Sequence, residues 1–174
     1  MPAEWPWFER HFSFDYPIGK RWDILDRLRG APVRVEDKVR GLGREALTRR
    51  DGEGWSIQEN IGHLSDLESL HDARLTELLA GAAVLTAADV TNARTHGAGH
   101  NARTIEEVVG EFRRVREAFL ARLEALEGEQ FALTALHPRL KQPMRVVDVC
   151  CFCAEHDDYH LARIEELRRK FAAV

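Results

Sequence analysis

The chain has 174 residues and a mass of 19.9 kDa, a length that predicts one domain. Hydrophobic residues make up 44% of it and charged residues 31%, a globular balance that excludes wholesale disorder. The net charge of −4 and the isoelectric point of about 6.1 argue against nucleic acid as a partner, because phosphate binding favours a basic surface. No apolar run reaches the roughly 20 residues of a membrane span, so we expect no membrane partner.

The three cysteines, Cys150, Cys151 and Cys153, lie in one short stretch. Neighbours so close cannot cross-link distant parts of a fold, and their number is odd, so a disulfide framework is excluded. Their C-x-x-C spacing falls inside a predicted helix, where Cys150 and Cys153 are expected to be small core residues rather than a redox pair. Residues 1–10 lack the continuous apolar segment of a signal peptide. We therefore expect a cytoplasmic protein.

The N-terminal residues predict an arm followed by a broken helix. Residues 5–16 are rich in aromatic side chains without helical spacing, so we expect an arm over residues 1–17 and a single domain over residues 18–174. Apolar residues then recur at helical spacing. The segment Gly30-Ala31-Pro32 interrupts them, and because proline clashes with the preceding helical turn we expect two helical pieces.

Two capping boxes mark the starts of later helices. Ser56 and Glu59 open a helix that is predicted to end at Gly81. Thr104 and Glu107 open the most clearly amphipathic helix of the chain.

A last helix is predicted from about Met144 to Phe171, and loops are predicted over residues 86–103 and 128–143. No segment shows the period of two that is typical of a strand. The pattern therefore predicts an all-α bundle. Its long loops mean that a simple up-and-down order of helices does not follow from the sequence.

The last predicted helix carries ionisable residues on its apolar side. His156 and His160 are one turn apart, and Asp157 falls within the same apolar arc. Burying these groups is costly unless they are paired or bind a metal. His-x-x-x-His is a known spacing of zinc ligands, and the alternative is a pair of core histidines satisfied by backbone carbonyls.

A third ligand must come from another helix, and the helix opened by Ser56 offers His63 and His71. His71 lies near the centre of the apolar arc of that helix, whereas His63 lies toward one edge. Periodicity alone therefore favours His71 or neither histidine.

Two segments resemble motifs of the DinB-like superfamily, which includes YfiT-type proteins and bacillithiol- and mycothiol-dependent transferases. Residues 55–66 (WSIQENIGHLSD) resemble its first metal motif, a Trp-Ser or Trp-Thr helix start followed by His-Leu and an acidic residue. Residues 155–164 (EHDDYHLARI) resemble its second motif, a His-x-x-x-His pair on the last helix. His137-Pro138 is similar to a His-Pro that precedes that helix. YfiT-type members often have a second histidine at both motifs, and here Gly62 and Tyr159 stand in those places.

The resemblance covers roughly residues 18–170. It implies a four-helix bundle of the DinB/YfiT type in which His63, His156 and His160 bind one divalent metal ion. Imidazole ligands suit zinc, nickel and iron, so the identity of the ion stays open. His71 is then expected to be structural.

Three neutral imidazoles leave coordination positions open, which is the pattern of a catalytic rather than a structural zinc site. Three acids are candidates to orient the ligands or to accept from bound water. Asp66 and Glu59 lie about one turn from His63, and Asp157 lies between the paired histidines. The alternatives are a solvated helix face for Asp66 and the capping box alone for Glu59.

A bound divalent ion lowers the pKa of water or of a thiol, which supports hydrolysis or attack by a low-molecular-weight thiol. The resemblance favours attack by a low-molecular-weight thiol over hydrolysis. We therefore expect a metal-dependent thiol S-transferase or hydrolase that acts on a small electrophilic or hydrolysable substrate. Two alternatives stay open: a non-catalytic metal-binding stress-response protein, and a purely structural helical dimer without metal.

The aromatic arm also bears on assembly. Its large side chains are too many to leave in water, so they cover either one end of their own bundle or the helices of a neighbour: Trp5, Trp7, Phe8, Phe12 and Phe14. Two-fold pairs are the commonest homo-oligomers, and dimers are frequent among the proteins that the chain resembles. We therefore expect a homodimer.

Overall fold

The computed structural model describes residues 6–171, and four long helices build most of it. They are α1, Arg21–Val39; α3, Ile57–Leu79; α5, Ile105–Glu124; and α6, Val146–Phe171. Two short helices lie in the connections, α2 over Arg44–Thr48 and α4 over Ala93–Gly97. The predicted all-α four-helix bundle is confirmed. Within the described span, no helix is both long enough and apolar enough to cross a bilayer.

Packing places α1 diagonally opposite α3, and α5 diagonally opposite α6. α1 packs against α5 and α6, and α3 packs against the same two helices. The order around the bundle is therefore α1, α6, α3, α5, which is not the simple up-and-down arrangement. The connections over residues 40–56 and 125–145 are long because each must cross an end of the bundle. The contact of α3 with α6 sets the two predicted histidine motifs face to face.

α1 is one continuous helix, so the predicted break at Gly30-Ala31-Pro32 is wrong. Proline lacks the N–H that would bond the carbonyl of Leu28, four residues earlier. Arg116 on α5 supplies the missing donor, because its Nη1 lies 3.2 Å from that oxygen. The helix therefore continues through a residue that would end it in isolation.

Both predicted capping boxes are present. The hydroxyl of Ser56 accepts from the backbone N–H of Glu59 at 3.1 Å, and the Glu59 carboxylate accepts from the N–H of Ser56 at 2.9 Å. Thr104 and Glu107 make the equivalent pair at the start of α5. After α3 the chain turns at Gly81, whose φ of +73° is a conformation that glycine adopts without strain.

The segment predicted as a loop over residues 128–143 contains part of a short antiparallel hairpin. Strand β1, Thr134–Leu136, pairs with strand β2, Pro143–Arg145. Only the central residue of each strand is buried, and three residues are too few for a period of two to be detected in the sequence. α6 begins immediately after β2, at Val146.

The described part of the arm packs on α6 of its own chain; Trp5 lies outside the described residues. The ring of Trp7 lies 5.0 Å from that of Phe152 and 4.8 Å from that of His156, centroid to centroid. Phe12 contacts the same Phe152 at 4.9 Å. The arm therefore covers its own bundle, one of the two arrangements expected.

Cys150 and Cys153 are buried in the apolar core, as expected of small core residues. Burial raises the pKa of the Cys150 thiol to about 12 and raises that of Cys153 as well. Both thiols are therefore protonated at neutral pH, a poor state for redox chemistry.

Candidate metal centre

Three histidines from two helices meet at the contact between α3 and α6. His63 lies on α3, His156 and His160 lie on α6, and one ring nitrogen of each falls within 4.8 Å of the other two. The ring centroids are 4.5 to 5.3 Å apart, and all three side chains are buried. The structure thus brings together the three histidines that the resemblance selected. Among residues 6–171, no other set of histidine, cysteine and carboxylate groups converges in this way.

Thr95 fixes the orientation of His63. Its hydroxyl lies 2.9 Å from Oδ2 of Asp66, and because an ionised carboxylate only accepts, the hydroxyl donates this bond. The same hydroxyl oxygen lies 3.0 Å from Nδ1 of His63 and therefore accepts from Nδ1–H. With the proton on Nδ1, the Nε2 atom of His63 carries the lone pair that a metal ion requires.

Asn60 plays the same part for His160. Its amide nitrogen donates to the carbonyl of Ser56 at 2.8 Å, which identifies Oδ1 as the acceptor. That oxygen lies 2.8 Å from Nδ1 of His160, so the proton sits on Nδ1 and the lone pair on Nε2. Nε2 of His160 in turn lies 3.2 Å from Nε2 of His156. The two ring nitrogens of α6 therefore face each other, as ligands of one ion would.

Burial keeps the three imidazoles neutral. It lowers the pKa of His63 to about 4, although the charge of Asp66 acts in the opposite direction. Burial and the neighbouring histidines lower the pKa values of His156 and His160 well below their usual range. Neutral imidazole is the form that binds metals, and three such ligands leave coordination positions for a substrate. The side chains present therefore fit the divalent ion that the resemblance implies.

Asp66 acts on His63 through Thr95, and its Oδ2 also accepts from Nε2–H of His100 at 2.9 Å. Burial disfavours the carboxylate, but the hydrogen bonds from His100 and Thr95 hold the pKa of Asp66 below its usual value. Thr95 belongs to α4, and His100 belongs to the 3-10 turn His100–Ala102 that follows. The segment predicted as a loop over residues 86–103 therefore supplies a partner of His63 and a partner of Asp66, and the sequence analysis missed both.

Two other predicted partners of the ligands are engaged elsewhere. The Glu59 carboxylate accepts from the N–H of Ser56 and from the guanidinium of Arg50. Both oxygens of Asp157 accept from Arg116. Within residues 6–171, neither Glu59 nor Asp157 makes a hydrogen bond to His63, His156 or His160, so a role in orienting a ligand stays a prediction.

Arg116 centres a buried network that the sequence analysis also missed. It is 1% exposed and lies between Asp157 and Glu68. Oε1 of Glu68 lies 3.3 Å from Nδ1 of His71, which places His71 in this network and not with the three converging histidines. Arg116 stands four residues after the buried Phe112, so helical spacing already puts it on the apolar side of α5.

A cavity of about 450 Å³ opens beside the three histidines. Apolar side chains form much of its wall, among them Trp7 of the arm, Trp55, Leu67 and Phe152. Trp55 also lies against His63, with ring centroids 4.6 Å apart. The volume falls in the range of small-molecule binding sites.

The profile of the DinB superfamily matches residues 27–164 of the chain. In structure, the chain is similar to YfiT from Bacillus subtilis, which is described as "a probable metal-dependent hydrolase with an unusual four-helix bundle topology". The two superimpose with a TM-score of 0.80 at 19% sequence identity, over 94% of each chain. No curated protein matches the chain in sequence.

Proposed function

Because the chain belongs to the DinB superfamily, we propose that it is a metal-dependent enzyme whose ion is held by His63, His156 and His160. The observation that carries the proposal is the convergence of three neutral ring nitrogens within 4.8 Å of one another, beside a cavity. Burying three imidazoles together costs hydration, and a bound ion compensates for that loss. A closed structural site needs a fourth protein ligand, and the described residues offer none.

When bound, a divalent ion lowers the pKa of a coordinated water or thiol and stabilises the resulting anion. The residues of the chain position and shield the site. Thr95 and Asn60 hold the rings of His63 and His160 with Nε2 toward the site. Trp7 forms part of the cavity wall and gives it an apolar surface.

The cavity favours thiol S-transfer over hydrolysis. Among the described residues that line it, Asp89 is the one carboxylate, and its oxygens already accept from Thr91 and from the backbone N–H of Ala93. These hydrogen bonds lower the pKa of Asp89, which makes its carboxylate a weaker general base for water. A divalent ion that lowers the pKa of bound water from about 15.7 to about 7 would deprotonate a coordinated thiol outright, so the thiolate is the more readily formed nucleophile. We propose a low-molecular-weight thiol as co-substrate and a small electrophile as acceptor.

Hydrolysis is the second candidate, because the protein of similar structure is described as a probable metal-dependent hydrolase. The same cavity accommodates a small ester or amide. A non-catalytic metal-binding protein needs no cavity of this size beside the ligands, so we place it third.

Metal analysis and a substrate screen test the proposal. Untagged protein should carry stoichiometric divalent metal, and His63→Ala and His160→Ala should lose it. Bacillithiol, mycothiol, glutathione and cysteine are then offered with chlorodinitrobenzene, and nitrophenyl acetate tests hydrolysis. Metal-dependent thiol transfer that the histidine variants lack supports the proposal. A metal-loaded protein that turns over neither substrate class contradicts the enzyme, and a protein that takes up no metal contradicts the site.

A further inference from the structure

Arg74 is a buried cation that makes no ion pair with any acid in the described part of the chain. It lies on α3, is 3% exposed and lines the cavity. Its Nε donates to the carbonyl of Thr86 at 3.0 Å, and neither terminal nitrogen has a hydrogen-bond partner within residues 6–171. The nearby acid Glu77 accepts from Thr86 instead. Burial removes water from the Arg74 guanidinium, and a bound anion would replace the hydrogen bonds that are lost with that water.

His137 adds a neutral donor beside Arg74 on the cavity wall. Its Nδ1 accepts from the backbone N–H of Leu140 at 3.1 Å, so the ring proton sits on Nε2. Burial and the charges of Arg74 and Arg139, which line the same cavity, lower the pKa of His137 to about 4 and keep the ring neutral at neutral pH. Nε2–H has no acceptor in the described part of the chain.

Arg139 is the second cation at this corner of the cavity. Its guanidinium lies 5.3 Å from the ring centre of Phe8, and it makes no ion pair with any described residue. Arg163, elsewhere on the wall, differs because it pairs with Asp51 and Glu166. Two arginines thus line the cavity without a counter-ion from residues 6–171.

This corner opens into the same space as the three histidines. The ring of His137 lies 5.6 Å from Phe152, Phe152 lies 5.0 Å from Trp7, and Trp7 lies 4.8 Å from His156. One molecule of modest size in the cavity therefore reaches both the histidines and the arginines.

We propose that Arg74, Arg139 and His137 form an oxyanion subsite that binds a carboxylate or phosphate group of the molecule entering the cavity. Guanidinium groups bind such anions through paired N–H bonds, and Nε2–H of His137 supplies a further donor. The assignment of the anion to a reactant rests on the proposed function, whereas anion binding itself requires no metal. A reactant of this site thus carries a negative group at one end and its reacting atom at the other.

Titration calorimetry on the metal-free full-length chain at neutral pH tests the subsite directly. Succinate and inorganic phosphate are the probes, and succinamide, the neutral diamide of succinate, is the matched control ligand. We expect at least one anion to bind and succinamide not to bind. Failure of both anions to bind at millimolar concentration overturns the subsite, and so does equal binding of succinamide.

Arg139→Gln is the main variant, because the side chain is exposed and its removal leaves the core untouched. Arg74→Gln is the second, and each loses charge-assisted bonds whose removal should raise the Kd about tenfold or more. Arg114→Gln removes an exposed arginine outside the cavity and should leave the Kd unchanged, which controls for net charge. An unchanged Kd in Arg139→Gln and in every folded Arg74 variant contradicts the subsite.

The metal-loaded enzyme identifies the reactant that carries the anion. Two thiols are compared as substrates, N-acetylcysteine with a carboxylate and N-acetylcysteamine without one. Two electrophiles are compared in the same way, chloronitrobenzoate and its neutral amide. If Arg139→Gln raises the KM of N-acetylcysteine alone, the anionic group belongs to the thiol. If it raises the KM of chloronitrobenzoate alone, the anionic group belongs to the electrophile. If no thiol is transferred at all, the proposed function fails while the calorimetry still decides the subsite.

Discussion

The imidazole of His100 occupies the space that a side chain at position 62 would need. A Cβ at Gly62 would lie 2.3 Å from Cγ of His100, closer than non-bonded atoms approach. YfiT-type members often have a second histidine at this position of the motif. Here the loop after α4 provides a histidine instead, and its Nε2 bonds Asp66 at 2.9 Å. Gly62 and His100 are therefore mutually dependent.

Gly62→Ala should displace His100 and lower the free energy of unfolding by about 1–3 kcal/mol, the range for an overpacked core position. Urea denaturation measures the loss. Gly110→Ala is the matched control, because a Cβ there has no atom within 4 Å and alanine should stabilise α5 by about 0.5–1 kcal/mol. Equal stability of Gly62→Ala and the natural chain would falsify the close approach.

The His71→Ala variant tests whether the buried network around Arg116 is independent of the metal centre. His71 bonds Glu68 and does not join the three converging histidines, so its removal should lower stability by about 1–3 kcal/mol and leave the metal content unchanged. His63→Ala, on the same helix, should instead lose the metal. Elemental analysis and denaturation of both variants check this. Loss of metal from a folded His71→Ala protein would mean that His71, which lies near the centre of the apolar arc, is a ligand.

Thr95→Val should weaken metal binding by about ten- to a hundredfold, the range reported when a partner that orients a ligand is removed. Valine keeps the shape but can neither accept from Nδ1–H of His63 nor donate to Asp66. Competition with a zinc chelator measures the affinity. Thr95→Ser retains the hydroxyl and should bind like the natural chain. The relay is refuted if valine and serine variants bind equally well.

Acid should destabilise the fold partly through His137. Its pKa of about 4 in the folded state lies below the ordinary value of 6.5, so the unfolded chain takes up the proton first as the pH falls. The stabilising contribution is complete above pH 6.5 and is lost as the pH falls toward about 4. His137→Asn keeps an acceptor for Leu140 without titrating. Denaturation of metal-free protein across this range should show a shallower loss of stability in the variant, and parallel curves would contradict the prediction.

We propose that the chain forms a homodimer, because two-fold pairs are the commonest homo-oligomers. The aromatic arm is not expected to hold the dimer together, because Trp7 and Phe12 pack on Phe152 of the same chain. Sedimentation should show a dimer at micromolar concentration, and a chain shortened by residues 1–14 should remain dimeric. A full-length monomer would defeat the dimer. Dissociation on shortening would instead restore the arm as its cause.

The helices and one half of the site could be predicted from local sequence. Ser56 with Glu59 marks the start of α3, and Gly81 marks its end, because capping interactions act within a few residues. His156 and His160 share a face because the α-helix repeats every 3.6 residues, and the structure places their Nε2 atoms 3.2 Å apart. These features depend on residues that are close in the sequence, so they do not depend on how the helices pack together.

The third histidine and its partners were decided by the tertiary structure. Helical angle alone favours His71 or neither histidine, but the packing of α3 against α6 brings His63 to the pair on α6. Thr95 is 32 residues from His63, and no periodic pattern links the two. Pro32 stays within α1 because a donor from α5, 88 residues beyond Leu28, completes its hydrogen bonding. Short-range rules set the elements, whereas the pairing of buried donors with acceptors depends on which distant elements pack together.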